Sequence, residues 1–262
     1  MIKLPFVLVF IGCLLFGRAA RCQVRANMPA DTLFQLAHKP MLPNRKPLSA
    51  AWLLVPAALT GYGVISLKSH NLQQINMNTK EEIWNENPHK TVKIDSYIQF
   101  APAAAVYALN IAGVHGKNDF MDRTIIYGIS EIMVTGIIQG GKKLSAEWRP
   151  DSSAQTSFPS GHTATAFAAA EFLRREYWDA SPWYGIAGYA VAATTGYLRM
   201  YNNKHWLGDV VAGAGVGILS TNFAYFIYPQ IKKIFSKHAN GATIVMPAYN
   251  NGSFQMALLH HF

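Results

Sequence analysis

Long runs without charge, separated by short polar breaks, dominate this chain. Asp, Glu, Lys and Arg are absent from 47–67, 96–116, 152–170, 180–198 and 210–231, runs of 19 to 22 residues. A sixth run, 124–141, contains only Glu131. Apolar residues fill these runs without strict alternation, and their length is that of helices rather than strands. Frequent Ala and Gly suit close helix-to-helix approach. The pattern predicts an all-α fold, a six-helix bundle over 48–237, and runs of this length predict that it is transmembrane. The polar stretch 71–90, NLQQINMNTKEEIWNENPHK, predicts an amphipathic helix followed by a turn.

The two ends read differently. Residues 1–22 have the layout of a secretory signal or N-terminal anchor: Lys3, an apolar stretch from Leu4 to Gly17, then Ala20-Arg21-Cys22 before Gln23. Residues 23–47 form a linker whose close, HKPMLPNRKP, is rich in proline. In the tail, 238–262, two short strands are predicted around Asn250-Asn251-Gly252, with Phe254, Met256 and Leu258 alternating, a β-hairpin-like tail.

Composition narrows the function classes. Charged residues make up 14% of the 262, below the usual quarter of soluble domains. Cys13 and Cys22 both lie in the leader, so a chain cut before Gln23 has no thiol chemistry. Net charge is +9, falling to +6 without Lys3, Arg18 and Arg21. Such a balance suits anionic substrates or anionic lipid surfaces. No basic run is interleaved with stacking aromatics, which argues against nucleic acid. His70, His89, His115, His238, His260 and His261 lack ligand spacing, so no metal site is predicted.

Three polar clusters fall at one end of the expected bundle. The first runs from Lys142 to Arg149-Pro150, the second is Pro159-Ser160-Gly161-His162, and the third joins Arg199, His205 and Asp209. Lys142 and Arg149 are about two helical turns apart and share a face if the helix continues. Arg199 adds a third cation, and guanidinium forks match phosphate oxygens. Ser160 offers a hydroxyl, Gly161 permits close backbone approach, and a helix N-terminus favours an anion. His205 and Asp209, at i and i+4, face each other on one helical face, so the carboxylate can hold one imidazole nitrogen and leave the other poised to attack. Lys143 and Lys204 flank these clusters as solvated charges. Glu131 is expected to make a hydrogen bond between helices.

In this order, K-x6-RP, PSGH and R-x5-H-x3-D resemble the signature of the type 2 phosphatidic acid phosphatase superfamily, which includes bacterial acid phosphatases and vanadium haloperoxidases. The six-helix layout is similar too. Leu198 stands where the family usually has Ser before the third-motif Arg, which bears on substrate detail and not on the chemistry. The resemblance implies that His205 attacks phosphorus to give a phosphohistidine and that Asp209 orients it. It implies His162 as the acid for the departing oxygen and then the base for water. Lys142, Arg149, Ser160, Gly161 and Arg199 are implied to bind phosphate, with no metal and no cofactor.

A membrane setting then implies a lipid phosphate as substrate: lipid A, undecaprenyl diphosphate, phosphatidate or phosphatidylglycerol phosphate. The alternative is a soluble periplasmic acid phosphatase of broad specificity. No protein partner is inferable. Lys117, Arg123, Arg174, Arg175, Lys232, Lys233 and Lys237 lie opposite the site, which places that end in the cytoplasm and the site in the periplasm of a bacterial inner membrane. Six spans counted from a cleaved signal give the reverse orientation, a tension within the sequence itself.

Overall fold

Eight α-helices lie among the residues that the computed structural model describes, 51–239, 243–250 and 253–260. They are α1 (Ala51–Ser66), α2 (His70–Lys80), α3 (Asp95–Ile98), α4 (Ala101–Ile111), α5 (Phe120–Ser145), α6 (Gly161–Tyr177), α7 (Pro182–Tyr201) and α8 (Leu207–Ala239). One π-helical turn, Glu81–Asn85, prolongs α2. Helices α1 and α4 to α8 form the six-helix bundle, with α2 and α3 as short additions at the end that carries the motifs. Residues 1–47, where a leader and linker are expected, lie outside the described residues.

Helix α6 is the hub, packed against α4, α5, α7 and α8. Its alanines 164, 166, 168, 169 and 170 are fully buried. Such small side chains let α8 approach until backbone meets backbone. A Cβ at Gly213 would stand 2.6 Å from the Ser160 carbonyl oxygen, and one at Gly217 would stand 2.2 Å from that of Ala164. One turn further on, Thr221 Oγ1 donates to the Ala168 carbonyl at 3.2 Å. The matched steps of four mean that α6 and α8 run parallel, so their N-termini lie side by side. That pairing brings the second and third motifs together.

At the far end of α6 the fully buried carboxylate of Glu171 accepts from Arg174 at 2.6 and 2.7 Å, Arg175 at 3.1 Å and Tyr189 at 2.6 Å. Lys232 pairs with Asp122 at 2.6 Å. Several of the cations that set the expected orientation are therefore tied into the bundle as well.

Helix lengths differ from those of the charge-free runs. Of 96–116 only Ala101–Ile111 is a long helix, because Asp95–Ile98 turns off separately and Pro102 starts a new one. Eleven residues rise about 16 Å, half of a ~30 Å hydrocarbon core. Of 152–170 only the part from Gly161 is helical, since the serines and Thr156 before it are uncharged yet form a loop. Among the described residues one helix, Leu207–Ile234 within α8, is long and apolar enough to cross a membrane. Large apolar side chains nevertheless face outward around the bundle: Leu54 on α1, Ile132 on α5, Trp183 and Ile186 on α7, Phe226 on α8.

The tail forms β1 (Thr243–Asn250) and β2 (Ser253–His260), antiparallel, with Asn250 opposite Ser253. Two residues separate the strands, as the Asn-Gly signal predicts.

Candidate active site

Helix α5 ends because Ala146 takes a left-handed conformation (φ 46°), its N–H reaching back to the Lys142 carbonyl at 3.3 Å. Lys142 and Arg149 therefore do not share a helix, contrary to the expectation from their spacing. The loop folds back instead. Ser157 N–H donates to the Glu147 carbonyl at 3.0 Å, and Arg149 N–H to that of Ala154 at 3.0 Å. Lys142 Nζ donates to the Thr156 carbonyl at 2.6 Å. Burial, then the neighbouring Arg149, hold the Lys142 ammonium below the ordinary lysine value, with Asp209 opposing and Arg199 adding to the effect.

Arg199, in the last turn of α7, is buried and donates through one terminal nitrogen to Asp95 on α3. Its Nε, like that of Arg149, is buried with no hydrogen-bond partner. A buried cationic donor left unmatched costs on the order of 1–3 kcal/mol. Two such donors beside a half-buried lysine make a place where an oxyanion is strongly favoured.

The second motif is arranged differently from expectation. Ser160 is fully buried, its hydroxyl pairs with Thr163 Oγ1 at 2.9 Å, and its N–H donates to the Asp209 carbonyl at 3.1 Å. Its side chain thus faces the bundle rather than an anion. A Cβ at Gly161 would meet only Ile138, at 3.5 Å, so no neighbouring side chain demands glycine there. What α6 offers is its first turn, where the N–H groups of Gly161, His162 and Thr163 have no carbonyl one turn back.

His205 precedes α8 in the 202–206 turn and is not on a helical face with Asp209. The two still meet, Nδ1 to Oδ2 at 3.4 Å, both almost fully buried. Asp209 sits at the third position of α8, and its Oδ2 also accepts the Trp206 N–H at 2.9 Å and the Ser157 hydroxyl. The first of these is half of a capping box. One carboxylate thereby starts α8, holds His205 and fastens the 146–160 loop. With Nδ1 on the carboxylate, Nε2 is the nitrogen left for chemistry. Burial holds the His205 imidazolium below the usual histidine value; Asp209 opposes this, and Arg199 and Lys142 add to it. The ring is neutral at pH 7. His162, second in α6, is half-buried, with Ser96 Oγ 3.5 Å from its Nε2. Burial, then the Arg199 charge, push its pKa down to about 4, with Asp95 opposing and Lys142 adding to the effect.

All eight residues singled out in the three motifs thus converge at one end of the bundle. Outside them, Lys143 is exposed, Lys204 pairs with Asp151 at 2.5 Å, and Thr165 Oγ1 donates to Glu131 across α5 and α6 at 3.4 Å. Among the described residues no group of three His, Cys, Asp or Glu is placed to hold a metal.

Three residues of the site carry no sequence signal of their own: Asp95, Ser157 and Glu147. Glu147 Oε2 is buried without a partner, and burial together with the Asp209 charge pushes its carboxyl up to about 8. It stands protonated beside Asp209 at neutral pH. A raised carboxyl pKa makes the folded state hold its proton longer, so stability falls as pH rises from the ordinary glutamate range through about 8. Glu147→Gln, which cannot ionise, should be more stable than the parent at pH 8 by about 1 kcal/mol after allowance for solvent screening. It should show little gain at pH 4. Thermal unfolding at both values checks this, and an equal change at each removes the assigned ionisation.

Residues 124–233, which hold all three motifs, match the family model of the PAP2 superfamily. A relative, the lipid A 1-phosphatase of Porphyromonas gingivalis, is 40% identical over 136 residues, which are 52% of this chain and 31% of the relative. The match thus spans about a third of that protein. Two solved structures are similar. The crystal structure of Aquifex aeolicus LpxE has 19% identity and a TM-score of 0.45, over 58% of this chain and 95% of that one. That of a transmembrane PAP2 type phosphatidylglycerolphosphate phosphatase from Bacillus subtilis has 21% identity and a TM-score of 0.46, over 68% and 98%.

Proposed function

We propose that the protein is a membrane lipid phosphatase that removes phosphate through a phosphohistidine on His205, with lipid A as its foremost substrate. The observation that carries the reading is one juxtaposition: a neutral, buried His205 held by Asp209, beside Lys142 and two guanidinium groups with unmatched buried nitrogens. A phosphoryl group gathered by those cations stands where the His205 lone pair can reach it.

The reaction has two steps. His205 Nε2 attacks phosphorus, the P–O ester bond breaks, and the departing oxygen takes a proton from His162. Water then attacks phosphorus, giving a proton back to His162, while the P–N bond breaks to release orthophosphate. Lys142, Arg149, Arg199 and the first turn of α6 hold the equatorial oxygens throughout. The cations supply the charge stabilisation, so no metal enters the scheme.

The substrate class rests on the relative's name, lipid A 1-phosphatase, and on the outward apolar side chains, a surface suited to lipid. The cations opposite the site support a periplasm-facing site in a bacterial envelope membrane. The test is phosphate release from lipid A, phosphatidate, undecaprenyl diphosphate and p-nitrophenyl phosphate, with the full chain in detergent and EDTA. Faster turnover of lipid A than of the others supports the proposal. Equal turnover of lipids and the aryl ester points instead to a broad-specificity acid phosphatase.

A further inference from the structure

Helix α2 reaches the site from a part of the chain that none of the three motifs includes. Its residues Asn76 and Lys80 lie one turn apart and share a face. Asn76 is buried, and its Oδ1 accepts the Gly208 N–H at 3.0 Å, which ties α2 to the first turn of α8. Lys80, half-buried, donates from Nζ to the Pro150 carbonyl at 2.8 Å. The same Nζ stands 5.6 Å from the centre of the Trp206 ring, within range of a cation–π contact. Lys80, Pro150, His205 and Trp206 line one small cleft, so this contact lies beside the nucleophile.

These contacts converge on the backbone that carries Arg149. Three consecutive carbonyls are engaged: Trp148 accepts the Trp206 indole N–H at 2.8 Å, Arg149 accepts the Ser152 N–H at 2.9 Å, and Pro150 accepts the Lys80 ammonium. The Arg149 N–H is spent on Ala154. Nε of Arg149 is buried without a partner, so the direction in which it points is inherited from this backbone. Trp206, in turn, follows His205 directly, and its own N–H is held by Asp209. Lys80 therefore spans two motifs, touching the residue after the phosphate cation and the residue after the nucleophile. Charge stabilisation of a transferring phosphoryl group depends on that separation, and a misplacement of about 1 Å can cost as much as 10²-fold in rate.

We propose that Lys80 is a positioning residue for phosphoryl transfer, clamping the Arg149 loop to the His205 turn so that guanidinium and nucleophile meet the same phosphoryl group. The proposal rests on the phosphatase reading and adds to it a group from outside residues 124–233, the segment that holds the motifs. Lys80 acts through Arg149 and not on the substrate. Lys80→Met keeps the length of the side chain and loses both contacts. Lys80→Arg keeps a donor for the carbonyl and a cation that stacks on an indole.

The test is a double-mutant cycle on the full chain in detergent, with Lys80→Met, Arg149→Ala and the two together. It is read as kcat and KM for p-nitrophenyl phosphate and as calorimetric binding of orthovanadate, a tetrahedral oxyanion that needs no turnover to report on the cations. Lys80→Met should lower kcat/KM roughly tenfold and weaken vanadate by a similar factor, with the midpoint of thermal unfolding kept. In the Arg149→Ala background the same change should matter less than about twofold, because the group it aims is gone. Lys80→Arg should return activity to within about threefold of the parent. Trp206→Phe keeps an aromatic face but loses the N–H to Trp148, and it should reproduce the loss through the other arm of the clamp, whether or not the Lys80→Met chain folds. Equal losses from Lys80→Met in both backgrounds mark a general structural role and overturn the clamp. So does parent-like activity in folded Lys80→Met or in Trp206→Phe, and each of these leaves the phosphatase reading standing. A parent that hydrolyses no phosphate ester overturns that reading, and the clamp with it.

Discussion

Alanine at His205 should abolish phosphate release, by roughly 10³-fold or more, in a chain that still folds. The side chain lies in the turn ahead of α8, where among the described residues its one polar tie is the 3.4 Å contact to Asp209. Asp209 keeps the Trp206 N–H and the Ser157 hydroxyl when the ring is gone, so α8 still starts where it does. Loss of the nucleophile therefore separates from loss of structure. Helical circular dichroism and thermal unfolding of the variant check the second, and orthophosphate release checks the first. A folded variant that keeps more than a few per cent of activity removes His205 from the nucleophile role. With His205 as nucleophile, the same ring should set the acid limb of the parent's pH profile. Attack needs the neutral imidazole, and burial holds its pKa below the ordinary 6.5. Activity should accordingly persist to pH values below that point before protonation extinguishes it, as a profile of kcat/KM against pH will read.

The spacing of the motifs made most of this site legible in the sequence. R-x5-H-x3-D carries its partners within eleven residues, and a turn leading into a helix keeps His205 and Asp209 together whichever side of the helix boundary they fall on. The parallel packing of α6 and α8 was readable only as a tendency, through the glycines of α8 and the alanines of α6. Other parts were opaque for physical reasons. Asp95 meets Arg199 across more than a hundred residues of chain, and nothing local to Ile94-Asp95-Ser96 marks a buried ion pair. Ser157 reads as one of several loop serines until Asp209 is seen to accept from it. The hydroxyl of Ser160 is buried and paired with Thr163, a contact that nothing in the local sequence marks. Absence of charge overstates helix extent, since the serines and threonine of 152–157 are neutral and form a loop. The outward apolar side chains, by contrast, are what a charge-poor composition leads one to expect.

His162→Ala should trap the intermediate when the leaving group is good. With p-nitrophenyl phosphate the departing phenolate needs little help from an acid, so His205 can still be phosphorylated. Hydrolysis of the P–N bond is different, because water must lose a proton as it attacks. The ring of His162 stands half-buried at the head of α6, where burial and the charge of Arg199 push its pKa down to about 4, so it is free to take a proton. Without it the second step slows by roughly 10²- to 10⁴-fold, the usual worth of a positioned base. Stopped-flow release of nitrophenol should then show a burst of about one equivalent followed by slow turnover. Acid-stable label should be absent and alkali-stable label present on the quenched chain, as the P–N bond of a phosphohistidine requires. With a poor leaving group such as a sugar phosphate the burst should vanish, because the first step now needs the missing acid. His205→Ala should give no burst with either substrate. A His162→Ala chain with neither burst nor trapped phosphate on the aryl ester places His162 in the first step regardless of leaving group, and the division of labour between the two histidines falls.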